Sequence, residues 1–443
     1  MASAASGILI GILLCAALAI GAGLFLSRDR LVQVTQQAFA SGTLPHETRT
    51  GANFVDCTFL TMLYVRQENA LLNAIDTKWI DGSHPCEGLE ILVNGGPEVT
   101  KLLATRFSYP NYPFGTRHLE SLLLAMLDLD AAKTVCWLFS YVSVVTLLIG
   151  AWLNTPRLTL AILPISLFLF FAFAQRQFAD SLGWAPGFAS GFLALSVFLA
   201  AKQLFRDRGH RLVFFGFLGT MTAFFDNLNG PIPVVLSLSI VLNQLFYRSH
   251  CLDTENKDAL KLYWVNSIGD ACAIFFCFFI SYVALTVVRL PLLIAFVSES
   301  NWQHYFRELF YRMGDVMNDK PVYIMDLIRA LWSLRTELTG NVLSTWLLFG
   351  SAAAWILTIC LLPILYRLRG RATLLLTADI FVIAIAAGGI LAWYMAFKNH
   401  TIGHPWIMIR LVTLPASYGF VVLLLVVERL AGTASHRTEV ALR

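Results

Sequence analysis

Apolar runs of roughly bilayer length recur along this chain, and they constrain its fold more than any other feature. They fall near 8–26, 134–153, 158–174, 185–201, 212–225, 231–247, 267–288, 343–366, 373–396 and 406–428, about ten segments in all. Hydrocarbon offers no partner to backbone N–H and C=O groups, so each run must be helical. Of 443 residues, 57% are apolar and 14% charged, where soluble domains carry about a quarter charged. Mean hydropathy is +0.67. The sequence predicts an all-α integral membrane protein, with residues 1–443 forming a single polytopic domain. Net charge is only +4, and the positive residues are dispersed, which argues against a nucleic-acid partner.

Two segments are too polar to span, 27–133 and 289–342. The run at 8–26 ahead of them has no basic start and no small-residue cleavage site, so it reads as an uncleaved anchor. Within the first loop, Thr43-Leu-Pro-His and Asp81-Gly-Ser-His-Pro are turn clusters. Phe59, Met62, Leu63, Leu71, Leu72 and Ile75 recur between them at helical spacing. That spacing predicts a helix over 58–76 lying along the interface, apolar face down. A second amphipathic stretch, Leu119 to Leu129, leads into the next span. Ahead of it, 109-YPNYPFGTRH-118 places Arg117 and His118 near the membrane. Trp302, Tyr305, Phe306 and Phe310 suit an interfacial helix in the second loop.

Orientation follows from the short loops. With Met1 in the cytoplasm, Lys202, Arg206, Arg208, Arg211, Arg248, Lys257, Lys261, Arg367, Arg369 and Arg371 fall inside, as do Arg429, Arg437 and Arg443. The short outer loops hold only Arg176 and Lys398. This positive-inside bias puts both termini in the cytoplasm and both long loops outside. Cys15, Cys136, Cys272, Cys277 and Cys360 then lie in spans, and Cys251 is cytoplasmic. Cys57 and Cys86 share the outer loop, where a disulfide is allowed, although spacing alone does not decide whether they pair.

The same topology gathers ionisable residues at the outer face. Asp56 reads either as a helix N-cap or surface acid, or as a catalytic carboxylate at the membrane surface. In 225-FDNLNGPIP-233, Asp226 and Asn227 suit a hydroxyl-rich ligand, although Asn-Gly-Pro is also ordinary turn chemistry. The segment 398-KNHTIGHPWIMIR-410 packs Lys398, His400, His404 and Arg410 together, for a ligand or for lipid headgroups. Arg117, His118, Arg176 and Asp180 join them. Acid from one loop with Arg, Lys and His from others suits an anionic, phosphate-linked substrate. Asp128 and Asp130 form either an acidic metal pair or a helix cap. Gly403 and Pro405 argue against a helix carrying His400 and His404, and no zinc site is expected. The absence of a Gly-rich phosphate loop argues against direct use of a nucleotide triphosphate.

An anchor span, a large first outer loop with an acid near the membrane and a late second loop together resemble the GT-C glycosyltransferases. Local strings resemble a group of bacterial polytopic proteins assigned there: 54-FVDCTFLTMLYV-65, 112-YPFGTRHLESLLLAMLDLD-130, 224-FFDNLNGPIPVVL-236 and 398-KNHTIGHPWIMIRL-411. The resemblance implies a multi-pass protein of the bacterial inner membrane. It would carry sugar from a polyprenyl-phosphate donor to a glycan, lipid or protein acceptor on the outer side. Asp56 matches the first-loop base, while Lys398, His400, His404 and Arg410 would hold the departing phosphate. The family's acid often has an acidic neighbour, whereas Val55 and Cys57 flank Asp56. A divalent cation, Mg or Mn, is therefore left open as a cofactor. Tyr109, Tyr112, Phe114 and Trp406 would stack on sugar or form an aromatic belt. The rival readings are a transporter or flippase, for which Asp270 and Asp379 sit in apolar runs, and a non-catalytic glycan-assembly protein.

Overall fold

The computed structural model describes residues 2–48, 51–66, 69–80, 84–108, 115–154, 156–175, 179, 181–226, 230–251, 258–297, 303, 306–307, 310, 316–317, 320–321, 323–333, 341–367, 371–404 and 408–441. It opens with α1 (Ala2–Phe25), apolar all round and long enough to cross a membrane. Ser27 accepts from the Arg30 amide and starts α2 (Arg28–Ala40). The first loop continues with α3 (Gly51–Tyr64), α4 (Ala70–Ile75), β1 (Lys78–Ile80), α5 (Pro85–Asn94), α6 (Pro97–Ala104), β2 (Arg106–Ser108) and α7 (Gly115–Met126). The two strands pair antiparallel, Trp79 opposite Phe107.

The membrane part follows as α8 (Leu129–Asn154), α9 (Pro156–Phe173), α10 (Ala185–Ala200), α11 (Arg208–Phe225), α12 (Pro231–Cys251) and α13 (Asp258–Phe296). The second loop holds a short hairpin, β3 (Val316–Met317) with β4 (Lys320–Pro321), and then α14 (Ile324–Ser333). The chain closes with α15 (Asn341–Arg367), α16 (Arg371–Ala396), α17 (Lys398–Gly403) and α18 (Thr413–Ala441).

The protein is thus an all-α membrane protein apart, among the described residues, from two small two-stranded sheets. Among the described residues, seven helices are long and apolar enough to cross a membrane: α1, α8, α12, α13, α15, α16 and α18. Two more apolar helices, α9 and α10, are shorter. The remaining apolar run, 212–225, lies in α11, whose first turns carry Arg208, His210 and Arg211.

Close helix packing here depends on small residues. A Cβ at Gly7 would collide with the Val213 carbonyl, and one at Gly216 with the Ala4 carbonyl, so α1 and α11 approach backbone to backbone. Phe198 lies among Phe205, Phe214, Phe215 and Phe246, joining α10, α11 and α12. Two ion-paired knots cross-link the helices. Arg208 and Arg211 hold Asp270 at 3.0 and 2.8 Å. Arg248, Gln244 and Tyr263 all donate to Asp379.

The first loop builds a core of its own, with Leu31, Val34, Leu60, Leu63, Leu89 and Leu124 buried together. Cys57 and Cys86 form a disulfide across it, with Cα atoms 4.9 Å apart, pinning α3 to the start of α5.

Three expectations from sequence are corrected. There is no continuous interfacial helix over 58–76: α3 begins at Gly51, ends at Tyr64, and α4 starts afresh at Ala70. Nor does α3 lie on a surface, because every residue from Val55 to Leu63 is buried. The apolar spacing was read as one face, but α5, β1 and α7 enclose the other faces as well. Helix α13 continues past residue 289, through Pro291 to Phe296. Its 39 residues span about 58 Å, well beyond one bilayer. Finally, residues 398–403 are helical, with Gly403 ending the turn and His404 at its C-cap.

Candidate functional site

Among the described residues, Asp56, Arg117 and His118 are carried by the helices of the first loop, packed against the ends of α8, α10 and α11. Asp56 lies in the second turn of α3 and is completely buried. It is neither an N-cap nor a surface acid. Lys133, in the first turns of α8, donates to its Oδ2 at 2.8 Å and to Asn53 Oδ1 at 3.1 Å. Ser181 Oγ and the Leu182 amide, just ahead of α10, donate to its Oδ1 at 3.0 and 2.9 Å. Oδ1 is therefore filled, while Oδ2 keeps one of its two acceptor positions. A buried ion pair of this kind is strongly destabilised when one partner is removed, by about 3–5 kcal/mol.

The neighbouring cluster is carried by α7. Its N-terminal Gly115 sits against the ring of Phe224, where no Cβ would fit, so α7 docks directly on the end of α11. His118 stacks on the same ring, centroids 5.9 Å apart. Arg117 is fully buried and donates to the carbonyls of Asp76 at 3.1 Å and Asn73 at 2.6 Å. It also approaches His118 Nε2 at 3.4 Å. Glu120 completes the face, fully buried, and neither carboxylate oxygen has a hydrogen-bond partner.

These surroundings shift the groups in ways that fit together. Burial, helped by the Asp56 charge and opposed by Arg117, raises the Glu120 carboxyl well above its ordinary value. Burial and the nearby Arg117 and Arg289 lower His118 well below its ordinary value. Burial and then Arg289 bring Arg117 down to about 9. One carboxylate is therefore paired with an ammonium, and burial opposes ionisation of the other.

Asp226 stands at the C-cap of α11, buried, directly after Phe224 and Phe225. Arg410, in a 3-10 turn at 409–412, donates Nε to the Ala172 carbonyl near the end of α9, at 3.0 Å. That places it at the same end of the bundle as Ser181 and Asp226. The rings of His400 and His404 lie 4.7 Å apart, one helical turn from each other. Lys398 begins that turn. Among the described residues, no hydrogen bond or ion pair joins this 398–410 segment to Asp56, Arg117 or His118. Arg176, Asp180, Asn227, Tyr109, Tyr112, Phe114 and Trp406 lie outside the described residues. Asp128 is a helix cap, its Oδ1 accepting from the Ala131 amide at 2.8 Å. Among the described residues, no group of three or more His, Cys, Asp or Glu side chains is arranged to hold a metal ion.

Several site residues carry no mark in the sequence reading above. Lys133 and Ser181 reach Asp56 across 77 and 125 residues of chain, and nothing local signals such contacts. Glu120 was within reach, because Arg117, Glu120, Ser121 and Leu124 fall at i, i+3, i+4 and i+7 on the buried face of α7. No protein-family model, curated protein or solved structure matches this chain.

Proposed function

We propose that the protein is a membrane glycosyltransferase that moves a sugar from a polyprenyl-phosphate donor to an acceptor hydroxyl on the extracytoplasmic side. The observation that carries this reading is the gathering of Asp56, Glu120, Lys133, Arg117, Asp226 and Arg410 at one end of the bundle, beneath the first loop. In this account the end holding Asp56 faces outward, and the arginine-rich ends of α11 and α15 face the cytoplasm. GT-C-like architecture, with about ten spans, belongs to the same proposal.

Chemically, the acceptor hydroxyl attacks the anomeric carbon as the bond to the lipid phosphate breaks. Asp56 takes the acceptor proton on the open position of Oδ2, and the lipid phosphate leaves with the bonding electrons. Lys133 holds the other position of Oδ2, while Ser181 and Leu182 fix the carboxylate's orientation. Arg410, Lys398 and the two imidazoles face the departing phosphate, acting as preorganised electrostatic partners. General-base help of this type contributes about 100- to 10,000-fold in rate.

The transporter reading draws less support, since Asp270 and Asp379 are each locked in ion pairs. One observation favours the non-catalytic reading: three donors on a buried Asp56 also make a good structural tie between loop and spans. Purified protein reconstituted with a panel of labelled polyprenyl-phosphate sugars separates them. Release of polyprenyl phosphate that depends on an acceptor supports transfer; uptake without release supports transport, and neither supports the structural role.

A further inference from the structure

Three arginines from three separate elements converge where α1 leaves the membrane part. Arg66, just past α3, donates to the Leu26 carbonyl at the end of α1. Gly23, three residues before Leu26, packs on Ala70 and Asn73 of α4, with its Cβ position 3.4 Å from each. Arg117 holds the Asn73 and Asp76 carbonyls at the other end of α4. Arg289, near the end of α13, donates to the Ile75 carbonyl between them at 2.9 Å. Three guanidinium groups thus surround one short helix and the last turn of a span.

Capping carbonyls accounts for only part of this arrangement. Arg117 Nε and Arg66 Nη1 are both buried and have no hydrogen-bond partner, and Arg117 as a whole is completely buried. The polar atoms Asn73 Oδ1, Thr77 Oγ1 and His118 Nδ1 are buried nearby in the same condition. Native proteins leave few such groups, so a concentration of them calls for a specific explanation. Of the carboxylates that act on Arg117, Asp76 also pairs with Lys78 at 3.4 Å, and burial raises the pKa of Glu120. Like-charge repulsion from Arg289 and Arg66 adds to burial in weakening the hold of Arg117 on its proton.

We infer that Arg66, Arg117 and Arg289 form an anion site that takes the phosphoryl group of a membrane-anchored lipid. A guanidinium offers paired, fixed donors to phosphate oxygens and is weakly hydrated, which suits it to a buried phosphate. The depth is appropriate, because Leu26 ends the first span and so lies near the headgroup level. This site is separate from the 398–410 segment and does not require sugar transfer. If the transferase reading holds, the phosphate is that of the polyprenyl donor as it first docks, before it reaches the 398–410 segment that meets it on departure; otherwise it is a phospholipid headgroup.

The test uses the whole protein in neutral phosphatidylcholine nanodiscs and reads thermal stability and bound lipid. Polyprenyl phosphate should raise Tm, whereas polyprenol, the same chain without phosphate, should not. Arg66→Gln and Arg289→Gln should each weaken polyprenyl-phosphate binding about tenfold or more. Arg117→Lys, which keeps a charge in place, should lose less than either. Nanodiscs of phosphatidylglycerol that replace the effect of polyprenyl phosphate would assign the site to a headgroup. An equal effect of inorganic phosphate would show that the anion alone suffices. Equal stabilisation by polyprenol, or unchanged binding in folded Arg66→Gln and Arg289→Gln proteins, overturns the inference. Sugar transfer with unchanged KM in those variants would remove this site and leave the transferase standing. Tight phosphate-dependent binding with no transfer would do the reverse.

Discussion

Asp56 shows how a residue can be conspicuous in sequence while its environment is not. It is the only acid in an apolar helical string, which marks it, but its partners come from α8 and the approach to α10. Lys133→Ala should therefore destabilise the protein by about 3–5 kcal/mol by stranding a buried carboxylate. Asp56→Asn with Lys133→Met, which removes both charges, should recover much of that loss in a thermal melt. Recovery absent from the double variant would mean that packing, not charge, dominates at this position. Glu120 makes a pH prediction. Its folded pKa lies above the ordinary 4.5, so between those two values the folded protein keeps a proton that the unfolded chain has released. Stability conferred by this group is complete below pH 4.5 and is lost as pH rises through the folded value. Glu120→Gln should gain on wild type progressively as pH rises above 4.5; a constant difference across pH 4 to 8 would contradict the buried, neutral assignment. His118 acts in the opposite sense, because its lowered pKa removes stability as pH falls below 6.5.

Elements were legible where hydrophobicity alone decides them and illegible where enclosure decides them. The long apolar helices follow from composition, since lipid demands internal backbone pairing. α3 does not, because a helix buried on all sides has no apolar face distinct from a polar one. The β1–β2 pair was also missed: three-residue strands carry almost no periodic signal. The disulfide was open from spacing and is present because α3 and the start of α5 are brought together by the loop's own core. It should protect Cys57 and Cys86 from a thiol probe until reductant is added. Replacing both by serine should lower loop stability by about 2–4 kcal/mol, read by limited proteolysis or hydrogen exchange. Free labelling of either cysteine in oxidised, folded protein would contradict the bond.

At the scale of the whole molecule, alternation of the chain brings the ends of α9 and α11 and the starts of α8, α10 and α18 together. That arrangement was readable from the order of the spans. How the 398–410 segment meets the rest was not, since a six-residue helix ending at Gly403 gives little local signal. If the Asp56 end faces outward, reporters fused after Gly96 should read extracytoplasmic, and those after Arg208, Arg371 and Arg443 cytoplasmic; one reversed sign would break the shared-face argument. The most direct test of the central claim measures sugar transfer and donor binding together in reconstituted Asp56→Asn protein of verified fold. Turnover should fall by about 100- to 10,000-fold while affinity for the polyprenyl-phosphate sugar stays close to wild type, because the lost interaction belongs to the transition state. Full transfer by Asp56→Asn would contradict the account.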